Sequence, residues 1–180
     1  MCPPFSLIFL SFFVLLFHGG FGVDLIEETC RKSVQTDPNL SYNFCLTSLQ
    51  AVPKSHTSDL KGLGLISINL TKTNATHTNL YIKKLLNQKQ ISQYCKIRLI
   101  DCLDLYSDAI ISLKNAIKDF TSRHNFEANI EVSAAMDAST TCEDGFDEMK
   151  KCSEASPLTK RNNDMFQLAA ISLAIINMVG

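Results

Sequence analysis

Between Ser92 and Thr121 the apolar positions Cys95, Leu99, Cys102, Tyr106, Ile110, Leu113, Ile117 and Phe120 recur in steps of three and four. That period places them on one face of a single long helix. A polar turn, Ser122-Arg123-His124-Asn125, follows, after which Phe126, Ile130, Ala134, Ala138, Cys142, Phe146 and Met149 form one stripe of a further helix. Ser133, Ala134, Ala135 and Ala138 are small enough to let a neighbouring helix approach closely. Upstream, after Pro53, the positions Leu60, Leu63, Ile66, Leu70, Tyr81 and Leu85 predict another long helix. Its polar middle, Thr73, Asn74 and His77, predicts a bend or local fraying there. Met165, Leu168, Ser172, Ile175 and Val179 predict a last helix over residues 162–178. Residues 24–33 and 39–49 read as two short helices separated by the turn Thr36-Asp37-Pro38-Asn39.

Four long helices with short connections imply an all-α fold, an up-down-up-down four-helix bundle that carries an N-terminal helical hairpin. Phe5 to Phe17 stands apart as an uncharged apolar run, too short to span a bilayer and followed by small residues up to Gly22. Residues 1–22 therefore read as a secretory signal peptide, although Met1-Cys2-Pro3-Pro4 lacks the usual positive charge. One domain is expected over residues 23–180, with the hairpin in 23–53 and the bundle in 54–180. The apolar stretch from Phe166 to Val179 also resembles the removable tail of a lipid-anchor signal. Gln167, Ser172 and Asn177 interrupt it, and it completes the bundle, so the packed helix is the preferred reading and no stable membrane insertion is expected.

Composition narrows this picture. Of seven Gly and five Pro, Gly19, Gly20, Gly22, Pro3 and Pro4 fall in the leader, which leaves few turn residues for the rest of the chain. Long helices joined by few turns fit that scarcity better than a β-sandwich or a Gly-rich α/β enzyme. The 17 basic and 18 acidic residues nearly balance, and no stretch concentrates cations enough to attract nucleic acid.

An exported chain with Cys30, Cys45, Cys95, Cys102, Cys142 and Cys152 carries a disulfide framework. Cys30 and Cys45 lie equally far from the turn at Asp37 and Pro38, so an antiparallel hairpin sets them side by side. Their bridge contributes roughly 3 kcal/mol by the chain-entropy estimate. Cys102 and Cys142 are likewise centred on Ser122, and their longer loop is worth roughly 4 kcal/mol. Cys95 and Cys152 are centred almost on the same turn, which allows a third, nested bridge if Cys152 sits past the helix end. Sequons at Asn39, Asn69 and Asn74 fit the secretory route. Asn74 falls near the centre of its apolar stripe and Asn69 at the edge, so occupancy at Asn74 is discounted more.

Catalytic chemistry finds no footing. His56, His77 and His124 lack the Glu or Asp three residues earlier, or the second His four away, that a bundle metal site requires, so no metal or cofactor is expected. Asp101, Asp104 and Asp108 read as a solvated helix face. The segment Glu143-Asp144-Gly145-Phe146-Asp147 lacks the alternating ligands and closing Glu of a calcium loop. With no nucleophile elbow or phosphate loop, a binding protein remains.

The residues around the cysteines resemble a known family. Tyr42-Asn43-Phe44-Cys45-Leu46-Thr47-Ser48-Leu49, Asp101-Cys102-Leu103-Asp104-Leu105-Tyr106-Ser107-Asp108-Ala109, Ser133-Ala134-Ala135-Met136-Asp137 and Thr141-Cys142-Glu143-Asp144-Gly145-Phe146 are similar to the plant invertase and pectin methylesterase inhibitors. Lys54-Ser55-His56-Thr57 and the run Asp59-Leu60-Lys61-Gly62-Leu63-Gly64 point toward the pollen-allergen-like branch of invertase inhibitors. The resemblance spans residues 24–179 and implies the same bundle and the same two bridges, with Cys95 and Cys152 as additions. It implies a secreted plant protein of the cell wall or vacuole that blocks the substrate cleft of acid invertase stoichiometrically, or alternatively of pectin methylesterase, without cofactor or turnover.

For invertase the resemblance places a Pro-Lys-Phe element between the second and third bundle helices. Here the matching stretch is His124-Asn125-Phe126, which keeps only the aromatic residue. A Phe suits an apolar or sugar-stacking site, and a His adds charge in an acidic wall. Phe126 also reads as the start of its helix's core stripe. For pectin methylesterase the family's contact surface is spread over helix faces. Two other classes share export and helicity: a carrier of an apolar ligand, whose sign would be a large internal cavity, and a helical signalling ligand.

Overall fold

The structure, a computed structural model, describes residues 24–89, 91–147 and 156–180. The leader at 1–22, Met149 and Cys152 lie outside the described residues. Among these residues six α-helices run in order: α1 (Leu25–Thr36), α2 (Tyr42–Gln50), α3 (Leu60–Leu86), α4 (Gln93–Thr121), α5 (Asn125–Asp147) and α6 (Thr159–Val179), with a 3-10 turn at Pro53–Thr57 between α2 and α3. Short polar side chains start four of them. Asp24, Ser41, Asp59 and Ser92 each accept a hydrogen bond from a first-turn N–H of α1, α2, α3 and α4.

Helices α3 to α6 close a four-membered ring in which each packs antiparallel to its two neighbours. The register is visible in paired residues. Asn79 Nδ2 donates to Ser107 Oγ at 2.9 Å between α3 and α4, while Asn129 Nδ2 donates to Asn177 Oδ1 at 2.9 Å between α5 and α6. On α4 and α5, Cys102 and Cys142 are disulfide-bonded with 5.0 Å between Cα atoms. Cys30 and Cys45 are bonded across the α1–α2 hairpin, 5.7 Å apart at Cα. Cys95 is also disulfide-bonded.

The hairpin rests on α6 and the first half of α3, with Ile26, Cys30, Leu40, Cys45 and Leu49 packed against Leu63, Ile171 and Ile175. Gln167 of α6 pins its turn: the Ser41 N–H donates to Oε1 at 2.8 Å, and Nε2 donates to the Asn39 carbonyl at 2.7 Å. Surrounded by the bundle on one side and the hairpin on the other, α6 is buried almost all round. It also starts earlier than its apolar pattern suggests, at Thr159. Among the described residues no helix is long and apolar enough to cross a membrane.

Two sequence expectations are corrected. Helix α3 is continuous, without a break at its polar middle. Its buried line starts at Leu63 under the hairpin and continues through Ser67, Thr71, Ala75, Thr78, Ile82 and Leu85, and Thr73 and His77 face solvent. Leu60, Ile66 and Leu70 belong instead to the hairpin contact. The buried hydroxyls of Ser67 and Thr71 donate to carbonyls of their own helix at 2.8 and 2.9 Å, so polarity does not open the turn.

On α5 the buried face begins with Ala128, Val132 and Ala135, whereas Phe126, Ile130 and Ala134 are exposed. Among the described residues the predicted stripe holds only for Ala138, Cys142 and Phe146. Small residues bury as readily as large ones when neighbours approach closely, and hydrophobic size alone misplaced the face. A similar close approach occurs at Gly64, where a Cβ would lie 2.6 Å from the Phe120 ring.

Candidate functional site

One end of the bundle is built from the α4–α5 turn, the start of α3 and the end of α6. Helix α4 ends with two backbone bonds, from the Arg123 N–H to the Phe120 carbonyl at 3.2 Å and from the His124 N–H to the Asp119 carbonyl at 2.9 Å. This ending requires a left-handed residue, and Arg123 takes that conformation with φ of +66°. The His124 carbonyl then accepts the first bond of α5 from Ala128 at 3.0 Å. The whole reversal occupies Ser122 to His124.

Side chains strap this tip to its neighbours. Asn125 Nδ2 donates to the Gly180 carbonyl, Asn129 pairs with Asn177, and Lys61 Nζ donates to the Thr121 carbonyl at 3.3 Å. Phe126, in the first turn of α5, projects outward and is 74% exposed. It flanks a groove of about 360 Å³ lined by Asn125, Asn129, Ile176, Asn177 and Gly180. A neighbouring groove of about 280 Å³ is lined by Lys61, Arg123, Asn125, Val179 and Gly180. His124, Asn125 and Phe126 are thus brought together on a strapped base, with an aromatic ring held in solvent.

Lys61, Arg123, Asn129 and Asn177 join this tip although the sequence pattern did not single them out. For Arg123 a signal existed: Ser122-Arg123-His124-Asn125 contains no glycine, so an abrupt helix reversal there forces a side-chain-bearing residue into the left-handed region. Lys61 and Asn177 are separated from the turn in sequence, and only packing brings them to it.

A second surface lies about 25 Å along α4 from the tip, at 1.5 Å per residue. There Asp101, Asp104 and Asp108 of α4 and Asp144 of α5 line an open groove of about 590 Å³, with Arg98 ion-paired to Asp101 at 3.1 Å. Ile97, Ile100 and Ile111 are exposed on the same outward side of α4. Among the described residues no set of His, Cys, Asp and Glu is arranged to hold a metal ion. The acidic groove is an open surface.

The midsection beside Cys102–Cys142 is different again. Buried Tyr106 donates its hydroxyl to Asn162 Oδ1 at 2.7 Å, and Asn162 Nδ2 donates to Glu143 Oε2 at 2.5 Å. Thr159 Oγ1 holds the other Glu143 oxygen at 2.5 Å. Burial pushes the Tyr106 phenol well above its ordinary range, and the Glu143 charge adds to that. This network joins α4, α5 and α6 and is structural.

The sequon asparagines are dispersed. Asn39 is exposed in the α1–α2 turn. Asn69, half-buried on α3, donates its Nδ2 to the Leu65 carbonyl at 2.8 Å, and Asn74 has its side-chain oxygen buried.

Comparison with known proteins agrees with this architecture. The sequence profile described as "Plant invertase/pectin methylesterase inhibitor" matches residues 24–175. The chain belongs to the plant invertase/pectin methylesterase inhibitor family. It is 46% identical to a Platanus acerifolia protein named "Putative invertase inhibitor", over 98% of this chain and 97% of that one. An Arabidopsis thaliana protein named "Cell wall / vacuolar inhibitor of fructosidase 2" is 28% identical over 96% of each. The crystal structure of mutant form A of a pectin methylesterase inhibitor from Arabidopsis superposes with a TM-score of 0.69 at 25% identity, covering 82% of this chain and 96% of that one. The family consists of inhibitors of invertase or pectin methylesterase, not of enzymes. For this inhibitor the helical bundle and its appended hairpin match the fold of the solved pectin methylesterase inhibitor.

Proposed function

We propose that this protein is a secreted inhibitor of plant acid invertase, which it blocks by setting the α4–α5 tip into the substrate cleft in a stoichiometric complex. The observation that carries this reading is the exposure of Phe126 at 74%. A benzyl group left in water forgoes roughly 2 kcal/mol of burial, and here the straps at Asn125, Asn129 and Lys61 hold it ready for a partner. His124 and Asn125 form the rim of that contact. The likeness to a protein named as an invertase inhibitor supports the same target.

Pectin methylesterase is the second reading, favoured by the exposed Ile97, Ile100 and Ile111 beside the acidic groove of α4. Titration of the oxidised protein from residue 23 onward against a plant acid invertase and a plant pectin methylesterase, at cell-wall acidity, separates the two. Stoichiometric loss of invertase activity is expected. Loss of methylesterase activity alone moves the contact surface to the helix faces, and loss of neither ends the inhibitor reading.

Secretion through a cleaved leader at 1–22, toward the cell wall or vacuole, completes the proposal. Cys95 pairs with Cys152 in this reading, so thiol counting on the unreduced protein gives none. Asn39 is the sequon fit to carry a glycan, because of the three asparagines it is the exposed one and lies on a turn. Mass mapping of protein from a glycosylating host checks that assignment.

A further inference from the structure

The geometry points to Arg123 as a specificity-determining contact residue, whose guanidinium engages a carboxylate at the rim of the target cleft; this rests on the reading of the tip as the inhibitory surface. Arg123 is the only non-glycine residue with positive φ among those described. Left-handed backbone disfavours an L side chain and suits glycine without steric penalty. Both hydrogen bonds that end α4 use backbone groups of Arg123 and His124, so a glycine would make them equally well.

The fold draws no return from the side chain itself. Arg123 is exposed, and among the described residues its guanidinium takes part in no ion pair. Conformational strain at a residue whose side chain has no partner inside the molecule is the mark of a role outside it. The location fits such a role. Arg123 lines the groove shared with Lys61 and stands three positions from the exposed Phe126, so the tip carries an exposed aromatic ring and, in the neighbouring groove, two cations. A guanidinium is a planar donor matched to a carboxylate in two-point contact. Glycoside-cleaving clefts commonly carry a pair of carboxylates, which makes an acidic rim the complementary surface.

Three proteins test this: wild type, Arg123→Gly and Arg123→Lys, each measured for thermal unfolding and for inhibition of acid invertase at low and high salt. Arg123→Gly is expected to melt at a higher temperature yet inhibit at least tenfold less tightly, with a weaker dependence on salt. Arg123→Lys keeps the strained backbone and a charge, and should recover only part of the loss. Because the glycine variant is the more stable one, weaker inhibition cannot be attributed to unfolding. Unchanged inhibition by Arg123→Gly overturns the assignment while leaving the tip as the contact surface. An unchanged melting temperature overturns the argument that strain is tolerated for contact. A wild type that fails to inhibit invertase removes the target reading and this inference together, and the wild-type control alone reports that case.

Discussion

Two polar regions of the bundle, its midsection and its tip, are organised in opposite ways. In the midsection, Tyr106, Asn162, Glu143 and Thr159 direct their polar atoms at one another beside the Cys102–Cys142 bridge. At the tip, polar side chains such as Asn125, Asn129 and Lys61 also hold the helices together, but Arg123, His124 and Phe126 point away from the molecule. The midsection satisfies its polar groups internally and becomes rigid. The tip uses similar rigidity to present unsatisfied ones. Removing a midsection group should therefore cost stability, and removing a tip group should cost binding.

The strongest way to break that contrast is to open the midsection bridge. Cys102→Ala should lower unfolding stability by about 4 kcal/mol, read from denaturant melts, and leave inhibition intact wherever the variant is still folded. Loss of inhibition by a fully folded variant would place the midsection in the contact surface. Next in size, Phe126→Ala should weaken invertase inhibition by about 2–3 kcal/mol in a titration, with stability nearly unchanged because the ring is already in water. A stability loss of similar size would return Phe126 to the core.

How much of this was legible in the chain differs between the two places. The period of α4 and the equal spacing of Cys102 and Cys142 about Ser122 were enough to foresee the midsection bridge, because a helix hairpin converts distance along the chain directly into height. At the tip, the same periodic reasoning enrolled Phe126 and Ile130 in the core stripe, and packing reversed it. Alanines at 128 and 135 occupy the inner face since the neighbouring helices come close. The contact at Gly64 sharpens this point: Gly64→Ala should destabilise by about 1–3 kcal/mol, as the new methyl meets the Phe120 ring, although alanine is the better helix former. A stabilised variant would show that propensity outweighs packing there.

The smallest expected effect concerns Tyr106. Its folded phenol stays protonated above the ordinary value of 10.0, while the unfolded one ionises. The unfolded state then holds fewer protons, so this group's contribution to stability falls as pH rises beyond about 10. Tyr106→Phe should cost about 1 kcal/mol at neutral pH through the lost bond to Asn162 and should flatten the alkaline decline relative to wild type. An equally steep decline in the variant would assign that loss to other groups.

What the sequence determined by itself was whatever depends on spacing along one chain: helical type, the order of the elements, and the pairing of Cys30 with Cys45 and Cys102 with Cys142. These follow from local geometry and need no knowledge of neighbours. Only the tertiary structure decided which face of α3 and α5 is inside, that α6 is enclosed on nearly every side, and that Lys61 and Asn177 meet the α4–α5 turn. Burial is a property of the surroundings: a helix acquires one inner face or two according to how many partners it has. The same dependence leaves Arg123 strained and Phe126 in water at the tip, where the fold has no further neighbour to supply.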